Sequence, residues 1–192
     1  DADRSILVDE NGLLVDGDKI LAIIASHWKK NKSLQENSIV GTIMTNKGLE
    51  NYLLKKNIKL IRTNVGDRNI IEVMKSKNII LGGEPSGHII LNNHSATGDG
   101  ILASLEVLGI MKFKNKKLSE LSNLYSPFPQ IMNSYPLKSN ENKEALIEQI
   151  KKALKKTIDE NKARLVIRRS GTENKIRIMT EAKDLKIAKC LS

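Results

Sequence analysis

Residues 39–71 read IVGTIMTNKGLENYLLKKNIKLIRTNVGDRNII, and this stretch decides the fold. Ile39 to Met44 is a short apolar run of the kind that forms a buried strand. Thr45 offers an N-cap for a following helix, in which Leu49, Leu53 and Leu54 recur at helical spacing until Asn57 ends it. Lys59 to Arg62 reads as a second strand. Asn64 to Arg68 is a loop, and Asp67 can cap a third segment bearing Ile70, Ile71 and Met74. Strand and helix alternating in this way argue for an α/β domain with a layered sheet.

The pattern continues on both sides. Upstream, Ser5 to Val8 and Leu13 to Val15 flank Asp9-Glu10-Asn11-Gly12, and Asn-Gly between apolar runs signals a hairpin. Asp16 offers an N-cap for a helix over Lys19 to Lys30, with Ile20, Ile23, Ile24 and His27 at helical spacing. Downstream, Asn78 to Leu81 and His88 to Leu91 read as strands around a tight loop at 82–87. A helix from Thr97 or Asp99 to about Phe113 carries Ile101, Leu105 and Leu108 on one face. Three of the four prolines then fall between 127 and 136, which places a linker at 114–129. Beyond it, Gln130 to Leu137 is a strand and Asn140 to Glu160 an amphipathic helix with Leu146, Ile150, Leu154 and Ile158 four apart. Ala163 to Arg168 and Lys175 to Glu181 are strands around a polar loop. Two domains are therefore expected, an α/β domain over 5–113 and a smaller α+β domain over 130–192.

Composition excludes several classes. The net charge is +10 and the pI near 9.6, which raises nucleic acid or an anionic surface as a partner. Only 7 of the 32 basic residues are Arg, and aromatics are 3%. Nucleic-acid binders use Arg for bidentate contacts and aromatics for stacking. No nucleic-acid partner is therefore expected, and a basic nucleic-acid-binding module remains only as the alternative from another class. One cysteine, Cys190, leaves no disulfide framework and fits a reduced, cytoplasmic setting. No apolar run approaches the ~18 residues that cross a bilayer, so no membrane partner is expected.

Three segments carry chemistry. Asp1-Ala2-Asp3-Arg4 sets two carboxylates two residues apart, which can converge on a hard cation or simply form a solvated terminus. Gly82 to His88 surrounds Glu84, Ser86 and His88 with glycines. A carboxylate beside a hydroxyl suits recognition of a polyol, and His88 suits acid–base work near neutral pH; a β-turn with a satisfied histidine is the plainer reading. Arg168 to Asn174, with Arg177 beyond it, combines guanidinium groups, hydroxyls and a glycine turn, as an oxyanion nest does. A polar hairpin loop is the alternative there. Thr97-Gly98-Asp99-Gly100 reads more simply as a helix cap, and Arg68 at the start of a helix is free to reach an anion.

Taken in order, these segments resemble the α-D-phosphohexomutase superfamily, and within it the branch acting on glucosamine phosphates. The resemblance rests on Asp1-Ala2-Asp3-Arg4, Asp16-Gly17-Asp18, Val40 to Asn46, Val65 to Arg68, Gly83 to His88, Thr97 to Gly100 and Arg169 to Glu173, and it covers nearly the whole chain. Pro85 and Asn174 depart from the pattern, where Gln and Pro are usual. The resemblance implies a layered mixed-sheet domain of the phosphohexomutase type followed by a smaller phosphate-binding α+β domain. It implies that residues 1–4 are the remnant of a metal loop, with earlier domains and a catalytic phosphoserine outside the chain, so that the fragment alone is inactive. Asp1 and Asp3 would hold Mg²⁺, and Arg4 would assist at the reacting phosphate. Glu84, Ser86, His88 and Arg68 would serve the sugar. Arg168, Arg169, Ser170, Gly171, Thr172 and Arg177 would clamp the non-reacting phosphate. The implied reaction interconverts the 6- and 1-phosphates of glucosamine through glucosamine 1,6-bisphosphate, for UDP-N-acetylglucosamine and cell-wall precursors, with the phosphomannomutase/phosphoglucomutase branch as the alternative. The resemblance also allows a homodimer.

Overall fold

The computed structural model describes residues 1–136, 147–150, 152, 163–170 and 173–191. They divide into two units, Asp1–Pro127 and Phe128–Ser192.

The first unit opens with a hairpin of β1 (Leu7–Val8) and β2 (Leu14–Val15), paired antiparallel. Asp9 builds its turn by accepting from the N–H groups of Asn11 and Leu13. Helix α1 (Gly17–Lys30) follows, and the Asp16 side chain caps it at the N–H of Lys19. Next come β3 (Ser38–Thr42), α2 (Lys47–Lys55), β4 (Lys59–Thr63), α3 (Asp67–Ser76), β5 (Leu81–Gly83), β6 (Ile89–Leu91), α4 (Gly100–Lys114) and α5 (Leu118–Ser122).

The sheet order is β4-β3-β5-β6. β3 runs parallel to both β4 and β5, and β6 returns antiparallel to β5. The twofold alternation of a strand then sorts the layers. Ile39, Leu81, Ile89 and Leu91 join α1, α2 and α4 in one core, whereas Val40 and Ile90 join Ile70 and Met74 of α3 in the other. Both faces of the sheet are covered, so β3 is buried along its whole length.

Several local expectations change. The cap of α2 is Asn46, which accepts from the N–H of Gly48, while the Thr45 hydroxyl turns back to the N–H of Thr42. The cap position of α3 is Gly66 at φ 123, and Asp67 is its first helical residue. β5 begins at Leu81 and runs into Gly83, because left-handed Asn78 and then Ile79 still donate their N–H groups back to Lys75 and Met74 at the end of α3. On α4 the buried residues are Ala103, Val107 and Ile110, and Ile101, Leu105 and Leu108 are exposed. That helix is apolar almost all round, so spacing alone could not say which stripe packs. Leu53, fully buried beneath α2, is expected to cost about 2–5 kcal/mol when cut to alanine. Leu105→Ala, at a site 58% exposed, should stay within about 0.5 kcal/mol. Urea unfolding midpoints measure both, and comparable losses would contradict the buried stripe assigned here.

The linker expected at 114–129 is instead mostly part of the first unit. Leu118 and Leu121 of α5 are buried in the larger core with α1, and Tyr125 stacks on Tyr52. The amphipathic spacing of these two leucines is hidden between a lysine run and the prolines.

The second unit is a three-stranded antiparallel sheet in the order β7 (Gln130–Pro136), β9 (Lys175–Ala182), β8 (Ala163–Arg169). A last helix, Leu185–Cys190, is capped by Asp184 and packs Ala188 against Ala163 and Ala182. Of the helix expected over 140–160, residues 147–150 and 152 are helical; the rest, including Leu146, Leu154 and Ile158, lies outside the described residues.

Candidate functional site

In the first unit the chemistry-bearing segments meet at the turn joining β5 to β6. Glu84 donates its N–H to the carbonyl of His88, and Gly87 donates to the carbonyl of Glu84, with Gly87 at φ +88. This tight turn holds Glu84 and His88 buried and Ser86 exposed. Glu84 Oε1 accepts from the N–H of Gly66 at 3.0 Å, and Oε2 accepts from the Ser86 hydroxyl at 3.4 Å. One buried carboxylate thus ties the turn to Gly66, at the cap position of the helix that carries Arg68. Arg68 itself is 89% exposed, on a solvated pair with Glu72. Such a pair is worth little and leaves the guanidinium available to an anion.

Residues 2–5 are seated on the same turn. Ser5 donates its N–H to the carbonyl of Gly87 at 2.9 Å, and Gly100 donates to the carbonyl of Ala2 at 2.8 Å. The side chains of Ser5 and Ser104 meet at 2.7 Å. The approach is close enough that a Cβ on Gly100 would lie 2.2 Å from the carbonyl oxygen of Arg4. The Thr97 to Gly100 segment does cap α4 through Asp99, as its sequence reads. It also supplies Gly100, whose bare backbone admits residues 2–4, and Gly98, whose bare backbone admits the His88 ring, which spacing along the chain did not reveal.

His88 Nδ1 lies 3.2 Å from Asp3 Oδ2, and Arg4 Nε lies 3.8 Å from the same oxygen. Both contacts fall on Oδ2 of Asp3. A carboxylate is the kind of hard oxygen donor that suits Mg²⁺. Among the described residues, however, no group of three or more His, Cys, Asp or Glu gathers around a metal position. The acid–base role expected for His88 meets a geometric obstacle, because its Nε2 is buried without a partner and its Nδ1 is engaged by Asp3.

The second unit carries the arginine cluster. Arg168 on β8 and Arg177 on β9 are direct cross-strand partners. Like charges so placed repel, and an anion between them reverses the sign of the interaction. Arg169, one residue on, projects to the other face of the sheet and lies outside this pair. Ser170 starts the loop by donating its N–H to the carbonyl of Lys175, and its hydroxyl accepts from the N–H of Glu173. Hydrogen bonds from Lys175 and then Arg177 hold the Glu173 carboxyl below the ordinary carboxylate range. Gly171 and Thr172 lie outside the described residues.

A layered mixed-sheet domain followed by a small antiparallel one is the architecture of the phosphohexomutase type, and the family-model matches assign the chain to that class. The chain belongs to the phosphoglucomutase/phosphomannomutase family, whose alpha/beta/alpha domain III matches residues 16–128 and whose C-terminal domain matches residues 124–191. It is 47% identical over 186 residues to a phosphoglucosamine mutase of Zymomonas mobilis, covering 96% of this chain and 41% of that protein. A phosphoglucosamine mutase of Bartonella quintana is 44% identical over 190 residues, with 97% and 41% covered. The chain thus spans about two fifths of the length of the curated relatives it matches. Among solved structures, it is similar in fold to a phosphoglucomutase/phosphomannomutase family protein of Burkholderia thailandensis, with TM-score 0.79, 15% identity, and 100% and 43% covered. It is also similar to the N-acetylphosphoglucosamine mutase of Aspergillus fumigatus in complex with GlcNAc-6P and magnesium, with TM-score 0.75, 20% identity, and 99% and 45% covered.

No helix among the described residues is long and apolar enough to cross a membrane.

Proposed function

We propose that this chain supplies the sugar- and phosphate-recognising part of a cytoplasmic phosphoglucosamine mutase, which interconverts glucosamine 6-phosphate and glucosamine 1-phosphate. The observation that carries the reading is the 47% identity to a phosphoglucosamine mutase over 96% of the chain. The glucosamine assignment is preferred over glucose or mannose on the same ground. The phosphoryl group is carried on a serine outside the aligned two fifths, and glucosamine 1,6-bisphosphate is the intermediate.

Within this chain, Glu84 and Ser86 offer an acceptor and a hydroxyl to the sugar, with Arg68 in the first turn of the neighbouring helix α3. Arg168 and Arg177 hold the phosphate that does not react, with Ser170 at the end of β8 beside them. Arg4, 60% exposed beside Asp3, is placed to neutralise an incoming phosphate. Asp1 and Asp3 contribute carboxylates to a Mg²⁺ site, and the ion when bound neutralises charge on the phosphoryl group in flight. Little covalent work is left to the protein, so positioning and electrostatics carry the rate.

The test is a coupled assay of the full-length enzyme. Preference for glucosamine 6-phosphate over glucose and mannose phosphates is expected, and the opposite order would move the chain to the sister branch. The 192-residue chain alone should show no turnover. Arg177→Met should weaken glucosamine 6-phosphate binding about tenfold or more, since a charge-assisted hydrogen bond contributes about 1.5–3 kcal/mol. Calorimetric titration reads it, and unchanged affinity would remove Arg177 from the phosphate site.

A further inference from the structure

We propose that His88 is a positioning residue, which aims the Asp3 carboxylate through its Nδ1 from a slot that exists because residue 98 is glycine. The proposal deepens the reading above and rests on Asp3 serving a metal.

The geometry begins with the ring. The His88 side chain is 7% exposed, and Nε2 is buried with no partner. A Cβ on Gly98 would stand 2.4 Å from both Cε1 and Nε2 and 2.8 Å from Cδ2. The imidazole therefore occupies the space that any side chain at 98 would need, and it packs on bare backbone. Its own backbone is held by the turn and by the pairing of Gly83 with Ile89. A ring locked on that side presents only Nδ1 to a neighbour, and the neighbour is Asp3 Oδ2 at 3.2 Å.

The carboxylate needs such a partner. The terminal torsion of an aspartate is broad, so an unpinned carboxylate samples many orientations. Ligating carboxylates in metal sites are commonly fixed by an outer hydrogen bond, and losing that bond costs about 10–100-fold in metal affinity. Here the bond falls on Oδ2, which would leave Oδ1 for a cation. A carboxylate accepts, so Nδ1 must carry the proton and Nε2 is left to the dry wall of Gly98. The nitrogen that acid–base chemistry on a sugar would use is the one enclosed.

Two readouts on the isotopically labelled 192-residue chain test this. Ring-nitrogen NMR should show Nδ1 of His88 protonated, and Asp3→Ala should remove that preference. Mn²⁺, which shares the oxygen-ligand preference of Mg²⁺, should broaden the amide signals of residues 2–5. His88→Phe should weaken that binding about 10–100-fold, and His88→Asn, which keeps a donor near the Nδ1 position, should restore most of it. An Nε2–H tautomer in the unsubstituted chain overturns the proposal without any variant, as does Mn²⁺ binding unaffected by His88→Phe. Mn²⁺ broadening that is absent, or indifferent to Asp3→Ala, overturns the metal reading itself; the tautomer result then shows whether the His88–Asp3 contact stands as a structural tie alone.

Discussion

Gly17→Ala is expected to destabilise the first unit by about 3 kcal/mol, the upper end of the usual overpacking cost. Gly17 opens α1 and donates its N–H to the carbonyl of Pro85 at 3.1 Å. A Cβ there would lie 2.0 Å from the carbonyl oxygen of Glu84 and 2.8 Å from the nitrogen of Gly87. Both are backbone atoms of a tight turn, so no side-chain rotation can relieve the overlap. Either α1 shifts away or the turn deforms, and the turn carries Glu84, Ser86 and His88. Sugar-phosphate affinity should fall with stability for that reason. Urea unfolding at constant m-value measures the first effect and calorimetric titration the second. A Gly17→Ala chain within about 0.5 kcal/mol of the parent would show that the helix start does not brace the turn.

The second large effect lies in the other unit. Arg164→Met should cost about 3 kcal/mol, because it removes a cation paired with a buried carboxylate. The Glu181 side chain is wholly buried, and Arg164 meets it with Nε at 3.2 Å and Nη2 at 3.0 Å. Gln130 also donates to the same carboxylate. The three residues are in register across β7, β9 and β8, so the strand pairing itself assembles the group. Replacing both partners, Arg164→Met with Glu181→Met, should recover most of the loss, since paired burial of charge roughly breaks even against apolar packing. A double-mutant cycle on thermal unfolding separates the two cases. A single substitution costing under about 1 kcal/mol would mean that water reaches the carboxylate.

The candidate residues were legible in the sequence because chemistry of this kind needs particular side chains in short runs. Glu84, Ser86 and His88 stand within five residues, and Arg168 to Glu173 within six. What escaped was their pairing. Glu84 reaches Gly66 18 residues away, and His88 reaches Asp3 across 85. Gly98 and Gly100 looked like cap residues, and their close contacts with His88 and Arg4 depend on a register between segments that no local pattern encodes. That His88 meets Asp3 through Nδ1 while Nε2 is enclosed escaped for the same reason.

The amino-acid sequence by itself determined the alternation of strands and helices, the two-domain order and the family motifs in line. Those follow from periodicity and from the side-chain types that local backbone and polar chemistry demand. Only the tertiary structure decided that the α4 stripe of Ile101, Leu105 and Leu108 stays exposed, that α5 folds back onto the first unit, and that Arg169 points away from the Arg168–Arg177 pair. Each of those outcomes is a choice between nearly equivalent local patterns. The choice is made by which apolar surfaces and which backbone glycines can approach one another once the sheet is assembled.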